Sequence, residues 1–434
     1  MNNFIKYGVV FCLFFVCCKH SWKNFDLFDD EIIDSTATRI IVAPIDENMV
    51  IKFSDVFDSI SFIRLETNKR SLIGQIEKII ATDDKFIILD GIRAKMVFVF
   101  DENGNFLNQV GSVGGGPEEY DMPLDIAYDK YNDELLILDS YPNRIMKFKL
   151  DGTFVDAINI DWRVSSIFVM ADNEYLLYLN NRLQRNRTKN DYNIIVINNK
   201  GENLSNLLPY DKKTGQLSPP SLNVFSTFEN NIMFSPYYSN KILNVDFDKI
   251  NVKYYLDYGE NKIPSSLLYN VNNGDLRKRI DMYEQFAYNA ALSVETFDHI
   301  VNRFVYKRMI FTCFYSKESQ TSKNSAIYFN DMYGLASSVH VYGKKEDLLL
   351  CVVDPELFTS RQKTLKNIKQ DKNLLLSQIN SFVPSLVVSN RLRSNMRAAV
   401  ESSNITISDE EIDFINSIKE DDNPLIMIAK LKKF

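Results

Sequence analysis

The stretch Phe100-Asp101-Glu102-Asn103-Gly104 decides the fold, because the chain returns to it at a nearly constant step. It recurs as Phe148-Lys149-Leu150-Asp151-Gly152, whose glycine lies 48 residues further on. It recurs again as Val196-Ile197-Asn198-Asn199-Lys200-Gly201, 49 residues beyond that. A fourth copy, Val245-Asp246-Phe247-Asp248-Lys249, lacks the glycine. The apolar run ahead of the turn keeps step: Phe86-Ile87-Ile88-Leu89-Asp90 returns 49 residues later as Leu135-Leu136-Ile137-Leu138-Asp139. Short apolar runs bounded by Asp, Asn and Gly read as strands. A period of about 40–50 residues built from such strands is that of a β-propeller blade.

Outward from these turns the strands sort into blades. Blade one reads 76–81, 86–89, 96–100 and 106–110, and blade two reads 123–128, 135–139, 145–150 and 154–160. Blade three reads 164–170, 175–179, 193–197 and 204–208, and blade four 224–229, 231–234, 241–246 and 252–258. Past Gly259 the apolar positions are Ile280, Tyr283, Ala287, Ala291, Val294, Phe297, Val301 and Phe304. Steps of three and four predict amphipathic helix, hence a helical insertion near 265–303. Blade five follows at 304–315 and 325–330, and blade six at 338–342 and 348–353. A second helical insertion spans 355–420. Leu365, Ile368, Leu375, Ile379 and Phe382 share a face there, and Ser408-Asp409-Glu410-Glu411 forms a capping box. The strand 425–431 then stands alone, and its expected use is to close the ring. The expectation is an all-β, six-bladed propeller over 49–434.

Composition agrees. Apolar residues make up 45% of 434 residues, enough for a large core. The 30 Phe and 22 Tyr suit the faces of packed sheets. A net charge of −7 argues against a nucleic-acid groove, which needs clustered cations. The densest basic set, Arg391, Arg393 and Arg397, has the spacing of a solvated helix face.

The first residues read as an address. Lys6 precedes an apolar run, 7–18, that is too short to span a bilayer. The run ends in Phe15-Val16-Cys17-Cys18 and resembles a bacterial lipoprotein signal, with Cys18 (or Cys17) as the lipidated residue. It departs from that pattern in having Phe15 three before the cysteine and no small residue other than Cys17 directly before it. An ordinary cleaved signal is the alternative. Residues 1–18 are then a signal peptide and 19–48 a tether with a lead strand. Beyond the signal only Cys313 and Cys351 remain, which is no disulfide framework. They are either buried thiols or a single bridge.

The segment from Ile63 to Phe154 resembles the six-bladed β-propeller lipoproteins of Bacteroides-type bacteria, distant relatives of NHL-repeat propellers. The residues that carry the resemblance are Ile63-Arg64-Leu65-Glu66-Thr67, Ile87-Ile88-Leu89-Asp90, the turn at 100–104 and Gly111-Ser112-Val113-Gly114-Gly115-Gly116-Pro117-Glu118-Glu119-Tyr120. The C-terminal Asp422-Asn423-Pro424-Leu425-Ile426 matches as well. The resemblance implies six blades and an exported protein, lipid-anchored to the envelope. It implies no activity.

Candidate chemistry is sparse. The loop 111–120 lacks the Gly-Lys-Ser/Thr ending of a phosphate loop. It reads either as a blade-to-blade crossover tied by its own side chains, or as the edge of a ligand mouth formed by Glu119 and Tyr120. Lys95 and Arg144, five residues after Asp90 and Asp139, are either salt-bridge partners between blades or cations that hold an anionic ligand. Only His20, His299 and His340 exist, so no metal site is expected. No Asp-x-Asp-x-Asp-Gly loop suggests calcium. The functional expectation is a binding or scaffolding module for a glycan, a peptide or an envelope protein, with no nucleic acid and no cofactor. The alternative is a metal-assisted lyase or lactone hydrolase, with Ca or Zn in the central channel.

Overall fold

A computed structural model describes residues 27–28, 36–141, 143–180, 192–210, 223–269, 283–362, 389–403, 405 and 408–434. The signal segment with Cys17 and Cys18, and the apolar face 365–382, lie outside the described residues. The architecture is an all-β propeller of six blades. Blade one is Lys78–Ala81, Lys85–Asp90, Met96–Asp101 and Phe106–Val110, a four-stranded antiparallel meander. Blades two to four repeat it from the inner strands Pro123–Asp129, Ser166–Ala171 and Phe225–Phe228. Blade five starts at Tyr288–Glu295 and blade six at Val341–Lys345. Apolar clusters fill each space between neighbouring blades, as where Ile87, Leu89 and Val97 of blade one meet Ile126, Ile137 and Met146 of blade two.

The repeated glycine has a physical reason. Gly104, Gly152 and Gly201 all take positive φ, at 85°, 92° and 80°. Each also lies against a carbonyl at the end of the preceding blade's outer strand. A Cβ on Gly104 would sit 2.1 Å from the Arg64 carbonyl oxygen, and one on Gly201 would sit 2.9 Å from that of Asn159. Turn geometry and blade spacing thus select the same residue. The repeated aspartate is equally structural. Asp90 is fully buried and accepts hydrogen bonds from Gly74 N (2.6 Å), Gln75 N (3.0 Å), Arg93 N (3.0 Å) and Ala94 N (2.8 Å).

Both chain ends build blade six. Leu425–Leu431 pairs on one side with Leu348–Val353 and on the other with Phe57–Arg64, which forms the outer edge. Asn423 locks the seam. It is buried, its Nδ2 donates to Glu66 O (2.9 Å) and Ser71 O (2.7 Å), and its Oδ1 accepts from Ile73 N (2.8 Å). Its own N–H donates to Thr67 Oγ1 (2.7 Å), and Asp422 pairs with Arg64 (2.8 Å). Upstream, Thr38–Ile41 adds a parallel strand to the outer edge of blade four, and Leu27 and Phe28 are buried against the same blade.

Two expectations need correction. Over 288–306 the helical spacing is not helix: Tyr288–Glu295 and His299–Tyr306 are the first two strands of blade five, and Ser265–Leu268 is a short helix ahead of them. Both strands are buried on both faces, so they show no alternation, and a register shift between Asn289 and Ser293 breaks the period further. Their Val, Phe and Tyr residues favour strand nonetheless. Blade five therefore ends at Ser325, and Ile327–Asn330 belongs to a small satellite sheet with Val50–Lys52 and Leu335–Ser337. In the second insertion the described helices are Pro355–Gln362, Asn390–Ser402 and Asp409–Ser417. Ser408 and Glu411 form the expected capping box. Phe62 packs edge-on against Phe358 and Tyr333 and stacks on Phe414, docking this insertion on blade six. Cys313 and Cys351 are buried free thiols.

Asn423→Ala strips the buried Ser71 O and Ile73 N of their partner and leaves Glu66 O with Ser71 Oγ alone. It should lower the unfolding free energy by roughly 3 kcal/mol or more, read by denaturant titration. A loss below about 1 kcal/mol would show that the seam does not depend on this side chain.

Candidate binding channel

Arg144, Glu119 and Tyr120 come together where the loop 111–120 is tied to blade two. Arg144 Nε donates to Asp139 Oδ2 (3.2 Å) and Nη1 to Pro117 O (3.3 Å), while Nη2 donates to Glu119 O. Asp139, fully buried, also accepts from Asp121 N (3.1 Å) and Met122 N (3.3 Å). Glu119 turns back on its own loop to accept from Gly116 N (2.8 Å), and it borders a shallow groove beside Phe148 and Phe154. Tyr120 is wholly buried and donates to Val110 O (3.2 Å), so it edges no opening. Burial pushes its phenol far above the usual range.

Lys95 stands apart. The turn of blade one holds one residue more than that of blade two, so Met96 pairs with Asp90 as Arg144 pairs with Asp139. Lys95 instead matches Asn143; both are left-handed, at φ 53° and 71°, and Lys95 is exposed. The equal spacing in the sequence hid this one-residue slip.

The six inner strands enclose a channel. A cavity of about 600 Å³ takes its wall from all six, including Lys78, Ala127, Phe168, Thr227, Leu292 and Tyr342. It reaches the ends of the inner strands and the turns that follow them, where Lys130, Tyr131 and Glu229 of the turns and Lys344 of the last inner strand line it. A second cavity, of about 300 Å³, lies toward Pro355–Gln362 and is bordered by Ser338, His340, Leu357 and Tyr342. Tyr342 borders both.

The channel wall is charged where its strands are otherwise apolar. Lys78 Nζ meets Asp125 Oδ1 at 2.8 Å, and Asp125 Oδ2 accepts from Ser166 Oγ and from Ile167 N (2.9 Å). Three successive blades are pinned at this point. Burial raises the Asp125 carboxyl, against the pull of Lys78 and Ser166. Next to Lys78, Glu77 accepts from Gly91 N (2.5 Å), while its Oε1 is buried with no partner among the described residues. Burial pushes this carboxyl up to about 7.

At the turn end, Lys253, Lys317 and Lys344 converge on the Phe228 ring at 5.6, 4.3 and 5.1 Å from its centroid. Glu295 accepts from Lys253 (2.7 Å), Lys317 (2.8 Å) and Tyr254 (2.7 Å). Burial works against its charge, yet these partners hold it below the usual carboxylate range. Lys344 has no carboxylate within hydrogen-bond distance among the described residues, and burial lowers its ammonium. No group of three or more His, Cys, Asp or Glu among the described residues is arranged to hold a metal. His299 packs on Phe434, whereas His340 borders the second cavity.

A family model described as a 6-bladed beta-propeller matches residues 33–351. The chain belongs to the DUF5128 family of six-bladed propellers. The match ends inside blade six, ahead of the helices and the closing strand. Among solved structures, a candidate exported protein of Bacteroides fragilis shares 16% identity at a TM-score of 0.67, over 91% of this chain and all of that one. A duf4221 member from Bacteroides vulgatus shares 9% identity at 0.48, over 87% of this chain and 97% of that one. The first likeness shows the shared fold alone. No match to this sequence was found among curated proteins. Among the described residues, no helix of this DUF5128 propeller is long and apolar enough to cross a membrane.

Sequence reasoning missed Lys78, Asp125, Tyr342 and Lys344. The available signal was a charge inside an apolar run, Glu77-Lys78 within 76–81 and Asp125 within 123–128.

Glu77 gives a pH test. Its pKa is raised from 4.5 to about 7 in the folded state, so between these values the native protein binds more protons than the unfolded one. This group therefore makes stability fall as pH rises from 4.5 to 7, and its penalty is complete above that. Glu77→Gln should raise the melting temperature at pH 8 and flatten its slope across this window. An unchanged slope would show that Glu77 titrates normally.

Proposed function

We propose that the protein is an envelope-anchored binding module whose central channel receives its ligand, a glycan, a peptide or a segment of an envelope partner. The observation that carries this reading is the channel itself. It is a cavity of about 600 Å³ walled by all six blades, with apolar faces and a few placed charges. That is the usual make-up of a ligand site. A ring of packed sheets presents such groups with little reorganisation, which reduces the ordering cost of binding. Export and lipidation at Cys18 (or Cys17) are supported by the apolar run that ends on cysteine, and export also by the relative from Bacteroides fragilis.

Thr227 is exposed in the channel wall, so Thr227→Trp narrows the channel without disturbing the core. In a thermal-shift screen of glycans and peptides, a ligand of this site should stabilise the parent protein and leave Thr227→Trp unmoved. Equal stabilisation of both proteins would place binding elsewhere. For the anchor, labelling with a palmitate analogue in cells should be lost in the double change Cys17→Ser and Cys18→Ser. Persistent membrane association of that unlabelled variant would rule out a lipid tether.

A further inference from the structure

A cation removed from water normally persists in a folded protein only beside a partner. Arg303 departs from that rule. It lies in His299–Tyr306, the second strand of blade five, opposite Thr312, and it is largely buried. Its Nε is sealed from solvent with no hydrogen-bond partner. Among the described residues the guanidinium makes no hydrogen bond and no ion pair. Its contact is the Tyr342 ring, with Cζ 5.7 Å from the centroid. By comparison, Arg144 in the same ring places its three nitrogens on three acceptors. A cation–π contact is a weak return for a desolvated charge.

The groups that feel the Arg303 charge are Tyr237, His340, Tyr342 and Cys351. None of them supplies an anion. Burial, helped by Arg303, drives His340 down to about 4, so it is neutral at ordinary pH. Burial also keeps both phenols and the thiol protonated. Glu77, the carboxylate that acts on Tyr342 together with Arg303, accepts from Gly91 N and makes no ion pair with Arg303 among the described residues. Arg303 is thus a positive charge with no hydrogen-bonded or ion-paired anion among the described residues, part of its surface still accessible, beside the residue that borders both cavities.

We infer that Arg303 is the anchor for the carboxylate of a small acidic ligand bound in the channel at the level of Tyr342. This inference rests on the channel's being the binding site. The guanidinium fork matches a carboxylate in shape. One unpaired cation balances a monoanion, whereas a phosphate dianion would leave excess negative charge next to Glu77. The channel, of about 600 Å³, has room for one small acid beside Tyr342. A sugar acid and an amino-acid or peptide carboxylate share this chemistry.

The test is calorimetry and thermal shift on the mature protein, with glucuronate and galacturonate in one arm and glutamate and triglycine in the other. Glucose, glycinamide and inorganic phosphate serve as controls. One carboxylate arm should bind saturably, and its neutral counterpart should not. Arg303→Met should weaken that binding at least tenfold, yet melt no lower than the parent without ligand, because it removes an unpaired charge. Arg303→Lys keeps the charge and loses the fork, so it should retain the melting temperature while binding falls. Melting several degrees lower in Arg303→Met, with no carboxylate bound by the parent, would make Arg303 a packing element against Tyr342. Phosphate binding tighter than every carboxylate would overturn the ligand class. Silent carboxylates, together with a neutral sugar or peptide that stabilises the parent but not Thr227→Trp, would sink this inference and leave the channel reading intact.

Discussion

The structure depends on one seam. Each blade of a ring is covered on both faces by its neighbours, so an open ring would expose two apolar sheet faces at once. Here the seam lies within blade six, where Phe57–Arg64 and Leu425–Leu431 come from opposite ends of the chain. Backbone pairing alone would let these strands slip. Asn423 sets the register, because its amide reads two carbonyls and one N–H in the crossover 66–73. This gives a physical meaning to two motifs far apart in the sequence. Arg64-Leu65-Glu66-Thr67 and Asp422-Asn423-Pro424 are the two halves of one lock.

A closed ring fixes the distances between inner strands, and this makes the charges in the channel intelligible. Lys78, Asp125 and Ser166 belong to three different blades, yet they meet at hydrogen-bond distance. Such a buried pair adds little net stability compared with apolar packing. Its use is positional: it holds three blades at one spacing and keeps the channel open between them.

How much of this was legible follows from where each residue's partners lie in the chain. The blades were legible because turn chemistry is local: Asp101 Oδ1 accepts from Asn103 N (2.9 Å) and Asn105 N (2.8 Å), within its own hairpin. The step between blades was legible because Gly104, Gly152 and Gly201 each meet the previous blade at the same point. Blade five was misread because strands buried on both faces carry no alternation, and eight apolar positions then fall into helical steps by chance. A central channel followed from the ring, but the residues that line it were legible only as charges inside apolar runs, Lys78 and Asp125. Arg303 and Tyr342 are 39 residues apart and on different blades, and nothing local marks either one. Lys95 and Arg144 were legible as residues but not as inequivalent ones, since an equal count from Asp90 and Asp139 concealed an extra turn residue.

The same contrast separates structural charge from available charge in this protein. Asp90, Asp139 and Lys78 are buried and Arg144 half-buried, and each is satisfied by backbone or by an opposite charge. They are engaged by the fold, Arg144 by tying the loop 111–120 to Asp139. Glu77 Oε1 and Arg303 Nε are buried and unsatisfied, and both border the wall around Tyr342 and Lys78. Folding alone would favour replacing such groups with apolar ones of similar volume. The buried aspartates of the ring are satisfied, whereas Glu77 Oε1 and Arg303 Nε, two of several buried polar atoms without a partner among the described residues, are not. Functional sites are where unmet polar groups of this kind are tolerated.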